Sequence, residues 1–289
     1  MAETLVLTHT KTALLADVHG NSPALQAVLE EIRREGCSQV FVLGDIINGI
    51  DPAGCLALLR DWKDRGDIEL TCLKGNAEFY LLTPDLDDLP KNNEPWNAGL
   101  VELIRWYQAH LTKTDMEWIR SFADFVRWNE AGLVHDSPVD RLSPESWHNP
   151  GIDSKYQEWF YHSPGIRADM AETQWQELLA FMDEWHLQQV FCAHTHVAFC
   201  RKSGRKLVCN VGSVGLPTDG NPRPAWVVAE EQPGKELAVT IRRVDYDIAR
   251  MHRLIDQTPE YPDFKQPGFH EGYKKMLSTG VFWENLLTD

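Results

Sequence analysis

Five short polar motifs punctuate the chain, each directly after an apolar run: Asp17-Val-His-Gly-Asn21, Gly44-Asp45, Gly75-Asn76, His135-Asp136-Ser137 and His194-Thr195-His196. As candidate ligands they offer two aspartates, Asp17 and Asp45, one asparagine, Asn76, and four histidines, His19, His135, His194 and His196. Asp-x-His and His-x-His put two side chains on one side of a strand end, because alternate residues of an extended chain point the same way. Such a pair suits chelation of one ion or of two adjacent ions. Mixed carboxylate, imidazole and amide donors match hard-to-borderline divalent metals such as Mn, Fe or Zn, not a soft thiolate site.

Taken singly, each motif has an ordinary structural explanation. A lone Asp-x-His is a turn, a lone Gly-Asp is a helix cap, and a lone His135 is a satisfied histidine. Their joint occurrence, in this order and at successive strand ends, is what requires a common purpose.

The elements that must position them read as strand, polar loop and helix, repeated. Thr12 to Ala16 is a short apolar strand ending in the first motif. Ser22 is the expected N-cap and Pro23 the first helical residue, with Leu25, Val28, Leu29 and Ile32 at helical spacing and Gly36 as the stop. Val40 to Leu43 is the next strand, followed by a Leu-rich helix over Cys55 to Trp62. Ile68 to Leu73 is the third strand. This alternation predicts a mostly parallel sheet, whose ligand sites form at the carboxyl ends of its strands.

The pattern then changes. Residues 79 to 122 read as a helical excursion, with Leu100, Leu103, Ile104, Tyr107 and Leu111 on one stripe and Thr114, Trp118 and Phe122 on a second helix. Residues 125 to 134 read as a hairpin around Asn129-Glu130, and 137 to 151 as a long loop. A helix is expected from Thr173 to Trp185. Short strands near 190–192, 198–201, 206–209, 226–229 and 238–244 give the second half an antiparallel character. Residues 247 to 289 hold one expected helix, Ile248 to Ile255, and a weakly patterned Pro-containing tail.

Bulk properties narrow the function classes. The 289 residues carry a formal net charge of -15, which disfavours duplex nucleic acid as a main partner. A small anionic substrate stays compatible, because a metal cluster reverses the field within one cleft. The sequence contains no apolar run of about 18 residues and no signal-peptide pattern, so a cytoplasmic, membrane-free protein is expected. The six cysteines form no Cys-x-x-Cys pair and are read as reduced, mostly buried thiols. Oligomeric state is not legible.

The ordered motif set resembles the calcineurin-like metallophosphoesterases, and in particular their bacterial and archaeal branch with Asp-x-His-Gly-Asn. The resemblance covers most of the chain and continues through Asn210-Val-Gly-Ser-Val-Gly. It implies an α/β fold of two packed mixed β-sheets flanked by helices, a four-layer αββα sandwich in one domain over residues 1–289. The helical excursion and an extension over 247–289 would be appended to it. It also implies two divalent metal ions: Asp17, His19 and His196 on one, Asn76, His135 and His194 on the other, and Asp45 between them. Water activated between the ions would attack a phosphate ester or anhydride. Asn21 and Asn76 would face the phosphoryl group, Asn21 either contacting it or orienting a ligand.

Three positions depart from the family pattern. Ala77 stands where many members carry a histidine that protonates the leaving group, Ala193 replaces a glycine, and Val211 replaces a proline. Ala77 favours phosphodiesters or nucleotide polyphosphates over simple monoesters. His148 and His162 are read as loop histidines rather than substitutes, and Trp147 and Trp159 as packing residues rather than nucleobase platforms. The competing class is a non-catalytic metal-binding scaffold or interaction module with the same fold. It is disfavoured because all seven ligand positions hold competent residues.

Overall fold

Each central strand is apolar throughout because each of its faces meets a different core. In β1 (Thr10–Leu15) and the residue after it, Ala13 and Leu15 face a helical layer while Leu14 and Ala16 face a second sheet. The same alternation divides Val40 and Val42 from Phe41 and Leu43 in and after β2 (Gln39–Val42). A strand buried on both faces reads as a continuous apolar run, as these do.

The structure is a computed structural model that describes residues 10–66, 68–83, 96–138 and 165–282. Helix α1 (Ser22–Arg34) joins β1 to β2, and α2 (Pro52–Arg65) joins β2 to β3 (Glu69–Cys72). α3 (Asn76–Leu82), α4 (Trp96–His110) and α5 (Lys113–Arg120) form the excursion. β4 (Val126–Trp128) and β5 (Ala131–Leu133) make the expected hairpin. After α6 (Glu172–Glu184) come β6 (Gln189–Cys192), β7 (Phe199–Ser203), β8 (Lys206–Asn210), β9 (Ala225–Glu231) and β10 (Ala238–Arg243). α7 (Ile248–Gln257), a 3-10 turn (Pro262–Lys265) and α8 (Phe269–Thr279) follow.

The strands form two five-stranded sheets, in the orders β10-β9-β1-β2-β3 and β4-β5-β6-β8-β7. The sheets pack face to face through Leu14, Phe41, Leu43 and Val227 on one side and Leu133, Phe191 and Cys209 on the other. Helices α1, α2, α4, α5, α7 and α8 cover the first sheet. Trp175, Leu178 and Met182 of α6 cover the second. This is the four-layer αββα sandwich. Among the described residues, no helix is long and apolar enough to cross a membrane.

Several local expectations are corrected. The second half is largely antiparallel as expected, in β4–β5, β7–β8, β9–β10 and β1–β9, but β5, β6 and β8 run parallel. β7 lies outside β8 at the sheet edge, so β6 pairs with β8 rather than with its sequence neighbour. β9 and β10 leave that sheet to pair beside β1. The tail contains the further helix α8, whose Tyr273, Met276 and Leu277 form a narrow buried stripe. Cys200 and Cys209 sit opposite each other on β7 and β8 and are joined by a disulfide, so four rather than six thiols are free.

Asn21, not Ser22, caps α1: its Oδ1 accepts from the Ala24 N–H at 3.1 Å. Its Nδ2 donates to the Gly215 carbonyl at 3.1 Å, so the capping side chain also ties α1 to the segment after β8. Replacing Asn21 by Ala removes the cap and is expected to lower stability by about 1–2 kcal/mol. Urea unfolding checks this, and an unchanged midpoint would deny the cap its role.

Candidate metal centre

In both sheets the parallel strands present their carboxyl ends at one edge, and backbone bonds bring the two edges together. The Asp17 N–H donates to the Gly44 carbonyl and the His19 N–H to the Asp45 carbonyl, both at 3.0 Å. Across the sheets, the Gly215 N–H and the Ser213 hydroxyl donate to the Asp17 carbonyl at 2.9 and 2.7 Å. The two loops after β2 and β3 touch so closely that only glycine fits. A Cβ on Gly75 would lie 2.1 Å from Asp45 Oδ1, and one on Gly44 would lie 2.4 Å from the Gly75 nitrogen.

Asp17, His19, Asp45 and His135 are buried here, while Asn76, His194 and His196 are half-buried. Two groups of donor atoms converge: Asp17, His19 and His196, and Asp17, Asp45 and His135. Asp17 Oδ1 lies 3.5 Å from His196 Nε2, 3.7 Å from His19 Nε2 and 3.9 Å from His135 Nε2. Asp45 Oδ2 lies 3.8 Å from His19 Nε2 and 3.5 Å from His135 Nε2. Each carboxylate therefore reaches both groups. Asn76 Oδ1 stands 3.1 Å from His135 Nε2 and 3.0 Å from His194 Nδ1, which attaches the remaining two predicted residues to the same edge.

Three imidazoles are held by their outer nitrogens. His19 Nδ1 donates to the Asn48 carbonyl at 2.9 Å, His135 Nδ1 to Leu43 at 2.7 Å and His196 Nδ1 to Leu216 at 2.8 Å. Each bond fixes ring orientation and leaves Nε2 turned inward, as in carbonyl-supported metal-binding histidines. The consequence is a conflict. His19 Nε2 and His196 Nε2 lie 2.9 Å apart, and two lone pairs at that distance need a proton or a cation between them. Asp17 Oδ1 is buried and has no hydrogen-bond partner. A buried carboxylate oxygen without a donor is costly unless a cation meets it. The hard oxygen and borderline nitrogen donors, the facing lone pairs and the orphan oxygen all fit divalent metal ions.

Charge coupling follows the geometry. Burial pushes Asp17 up, but His196, His19 and His135 outweigh it and hold its carboxyl below the usual range. Burial likewise opposes ionisation of Asp45, and His135 and His19 more than reverse it. Burial lowers His135, yet Asp45, Asp17 and Asp136 raise it to about 9. Burial, with the neighbouring His19, brings His196 down to about 4. His19 is itself raised against burial by Asp17 and Asp45.

The backbone here is strained. Asp17, His19, Asp45, His194 and His196 have φ of 50°, 46°, 51°, 71° and 60°. Left-handed non-glycine residues cost on the order of 1–3 kcal/mol each and persist only where the surroundings over-determine them. Much of that determination comes from Glu78, a functional residue that the sequence motifs do not single out. Its buried carboxylate accepts from the N–H groups of Gly75, Asp45, Ile46 and Ile47 at 2.8, 2.9, 2.8 and 3.3 Å. Asn210 acts similarly on the other sheet, donating to the Ala193 carbonyl at 2.7 Å and to Thr195 Oγ1 at 3.0 Å. The only sequence signals for the two are their places in Gly75-Asn-Ala-Glu78 and Asn210-Val-Gly-Ser. His148, His162, Trp147 and Trp159 lie outside the described residues.

Two outcomes follow. A divalent ion must displace the proton from His135, so apparent metal affinity rises with pH until about 9, where that ring titrates. Calorimetry in buffers of different ionisation enthalpy near pH 7 should show at least about one proton released per chain, and binding without proton release contradicts the assignment. Glu78→Gln puts an amide N–H among four backbone donors and is expected to cost about 2 kcal/mol or more. Urea unfolding measures that loss, and wild-type stability would rule out the clamp.

Residues 11–232 match the calcineurin-like phosphoesterase superfamily domain. An uncharacterized protein of Methanocaldococcus jannaschii is 25% identical over 264 residues, covering 86% of this chain and 94% of that protein. A metallophosphoesterase from Sphaerobacter thermophilus superposes with a TM-score of 0.64 at 21% identity, over 94% of this chain and 99% of that one. A hypothetical protein from Pyrococcus horikoshii OT3 superposes with a TM-score of 0.67 at 19% identity, over 94% and 98% of the two chains. At those identities the two structures establish a shared fold, while the matched domain spans most of the chain and supports a metal-dependent phosphoesterase. The chain belongs to the calcineurin-like phosphoesterase superfamily.

Proposed function

We propose that this centre holds two divalent ions, Mn, Fe or Zn, and hydrolyses small phosphodiesters or phosphate anhydrides such as nucleotide polyphosphates. The observation that carries the proposal is the convergence of Asp17 Oδ1 and Asp45 Oδ2 on inward-facing imidazole nitrogens, at 3.5–3.9 Å on both sides. Asp17, His19 and His196 hold one ion, Asn76, His135 and His194 the other, and Asp45 spans them. When bound, the pair supplies an activated water nucleophile and a clamp for phosphoryl oxygens in an in-line displacement.

The chain's own residues set the bias among substrates. Ala77 donates its N–H to Asp45 Oδ1 at 2.9 Å and so helps to fix that carboxylate. Its methyl group has no proton to give a leaving group. General acid catalysis contributes roughly 100- to 10,000-fold, so substrates whose leaving group departs without protonation are favoured. Asn76 and His194 are half-buried, and of the proposed ligands they are among those a phosphoryl group could reach. Asn21 is buried with both side-chain ends engaged, and it serves by orienting the Asp17–His19 loop rather than by touching substrate.

With added Mn(II), turnover of bis-p-nitrophenyl phosphate or diadenosine tetraphosphate is expected to exceed that of p-nitrophenyl phosphate, and to vanish in chelator and in Asp45→Asn. Hydrolysis that survives Asp45→Asn overturns the proposal. Ala77→His is expected to raise turnover of alkyl monoesters relative to diesters by about 100-fold at most. An unchanged ratio removes Ala77 as the source of the bias.

A further inference from the structure

The loop after β2 carries both Asp45 and the carbonyl that supports His19. Its near side is held by Glu78, which takes the N–H groups of Asp45, Ile46 and Ile47. Its far side is held by Asp51, which caps α2 through the Gly54 N–H at 3.0 Å and gives its own N–H to the Gly20 carbonyl at 2.9 Å. Between these anchors lies Asn48, whose carbonyl accepts from His19 Nδ1 at 2.9 Å.

What holds Asn48 comes from the helical excursion and the C-terminal extension. Tyr107 of α4 donates its hydroxyl to Asn48 Oδ1 at 2.9 Å. Tyr261, just before the 3-10 turn of the C-terminal extension, lies 2.9 Å from the Tyr107 oxygen. Asn48 Oδ1 is an acceptor only, so Tyr107 spends its one proton there and Tyr261 must be the donor to Tyr107. The bonds therefore run in one direction, from Tyr261 to Tyr107 to Asn48, whose backbone supports His19. Both tyrosines are 3% exposed. Packing alone would be served by phenylalanine, because burying a hydroxyl without a partner costs roughly 1–3 kcal/mol. Their rings are fixed independently of the site: Trp106 and Phe264 each meet Tyr261 edge-on at 5.2 Å between centroids.

We propose that Tyr107, backed by Tyr261, is a positioning residue for the metal ligand His19, through which the helical excursion and the C-terminal extension govern metal binding. The inference rests on the metal-centre reading above. The two appended segments then act together, setting the position of the Asn48 carbonyl and hence the direction of His19 Nε2. Without the Tyr107 hydroxyl, Asn48 Oδ1 loses its partner and the loop apex is free to turn, while Glu78 and Asp51 still hold its ends.

The test is Mn(II) titration of the full chain by calorimetry, with diester kinetics at saturating Mn(II). Tyr107→Phe is expected to weaken Mn(II) binding about 10-fold, the low end of the effect of outer supports on metal ligands. It should lower kcat with KM unchanged, and Tyr261→Phe should act in the same direction to a smaller extent. Tyr273→Phe removes a buried hydroxyl that has no partner in the same apolar layer, and should leave Mn(II) affinity unchanged. In an Asn48→Ala background, Tyr107→Phe should cause no further loss, because the pair acts as one unit. Wild-type affinity in Tyr107→Phe, or equal losses with and without Asn48, overturns the proposal while leaving the metal centre standing. Absence of Mn(II) binding in the wild type overturns both.

Discussion

Two imidazole nitrogens 2.9 Å apart, beside a buried carboxylate oxygen that no donor reaches, form the constraint on which the rest of the structure depends. Left to itself such an arrangement is repulsive and under-solvated. It persists because the outer nitrogens of His19, His135 and His196 are fixed to backbone carbonyls, so the rings cannot rotate to relieve it. Those carbonyls belong to loops that leave parallel strands of both sheets. The four-layer sandwich acts as a frame that brings two sets of strand ends to one edge and keeps them in register.

The strain is distributed rather than concentrated. Five of the predicted ligands adopt left-handed backbone conformations, and each is countered by bonds that begin on a neighbouring loop. Glu78 gathers the N–H groups of the loops after β2 and β3. Asp17 Oδ2 accepts from the His194 N–H at 2.9 Å, which joins the first sheet's carboxylate to the second sheet's histidine loop. Asn210 secures that histidine loop from behind. A cation is then the natural counterweight to a cluster whose donors have been forced together.

The convergence of the proposed ligands is legible in the sequence because its chemistry coincides with its topology: each motif follows an apolar run, and parallel strands must end at the same edge. Elements that obey one period, such as α1 and the hairpin at 126–133, are equally legible. Features that depend on distant partners are not. The parallel pairing of β6 with β8 skips a strand, the Cys200–Cys209 disulfide depends on the β7–β8 register, and α8 buries only a narrow stripe. Tyr107 reads as one more core residue between Leu103 and Leu111, since nothing local distinguishes a hydroxyl that bonds 59 positions away. Ser22 and Asn21 are both residue types that suit a helix cap, and only the bond to Ala24 decides between them.

The central claim concerns how many ions this edge holds and where they sit. The direct measurement is anomalous X-ray diffraction from crystals of the Mn(II)-loaded protein. The account predicts two peaks about 3.5–4 Å apart, one against Asp17, His19 and His196 and one against Asn76, His135 and His194, with Asp45 between them. A single peak, or ions elsewhere while these side chains keep their present hydrogen bonds, would contradict it.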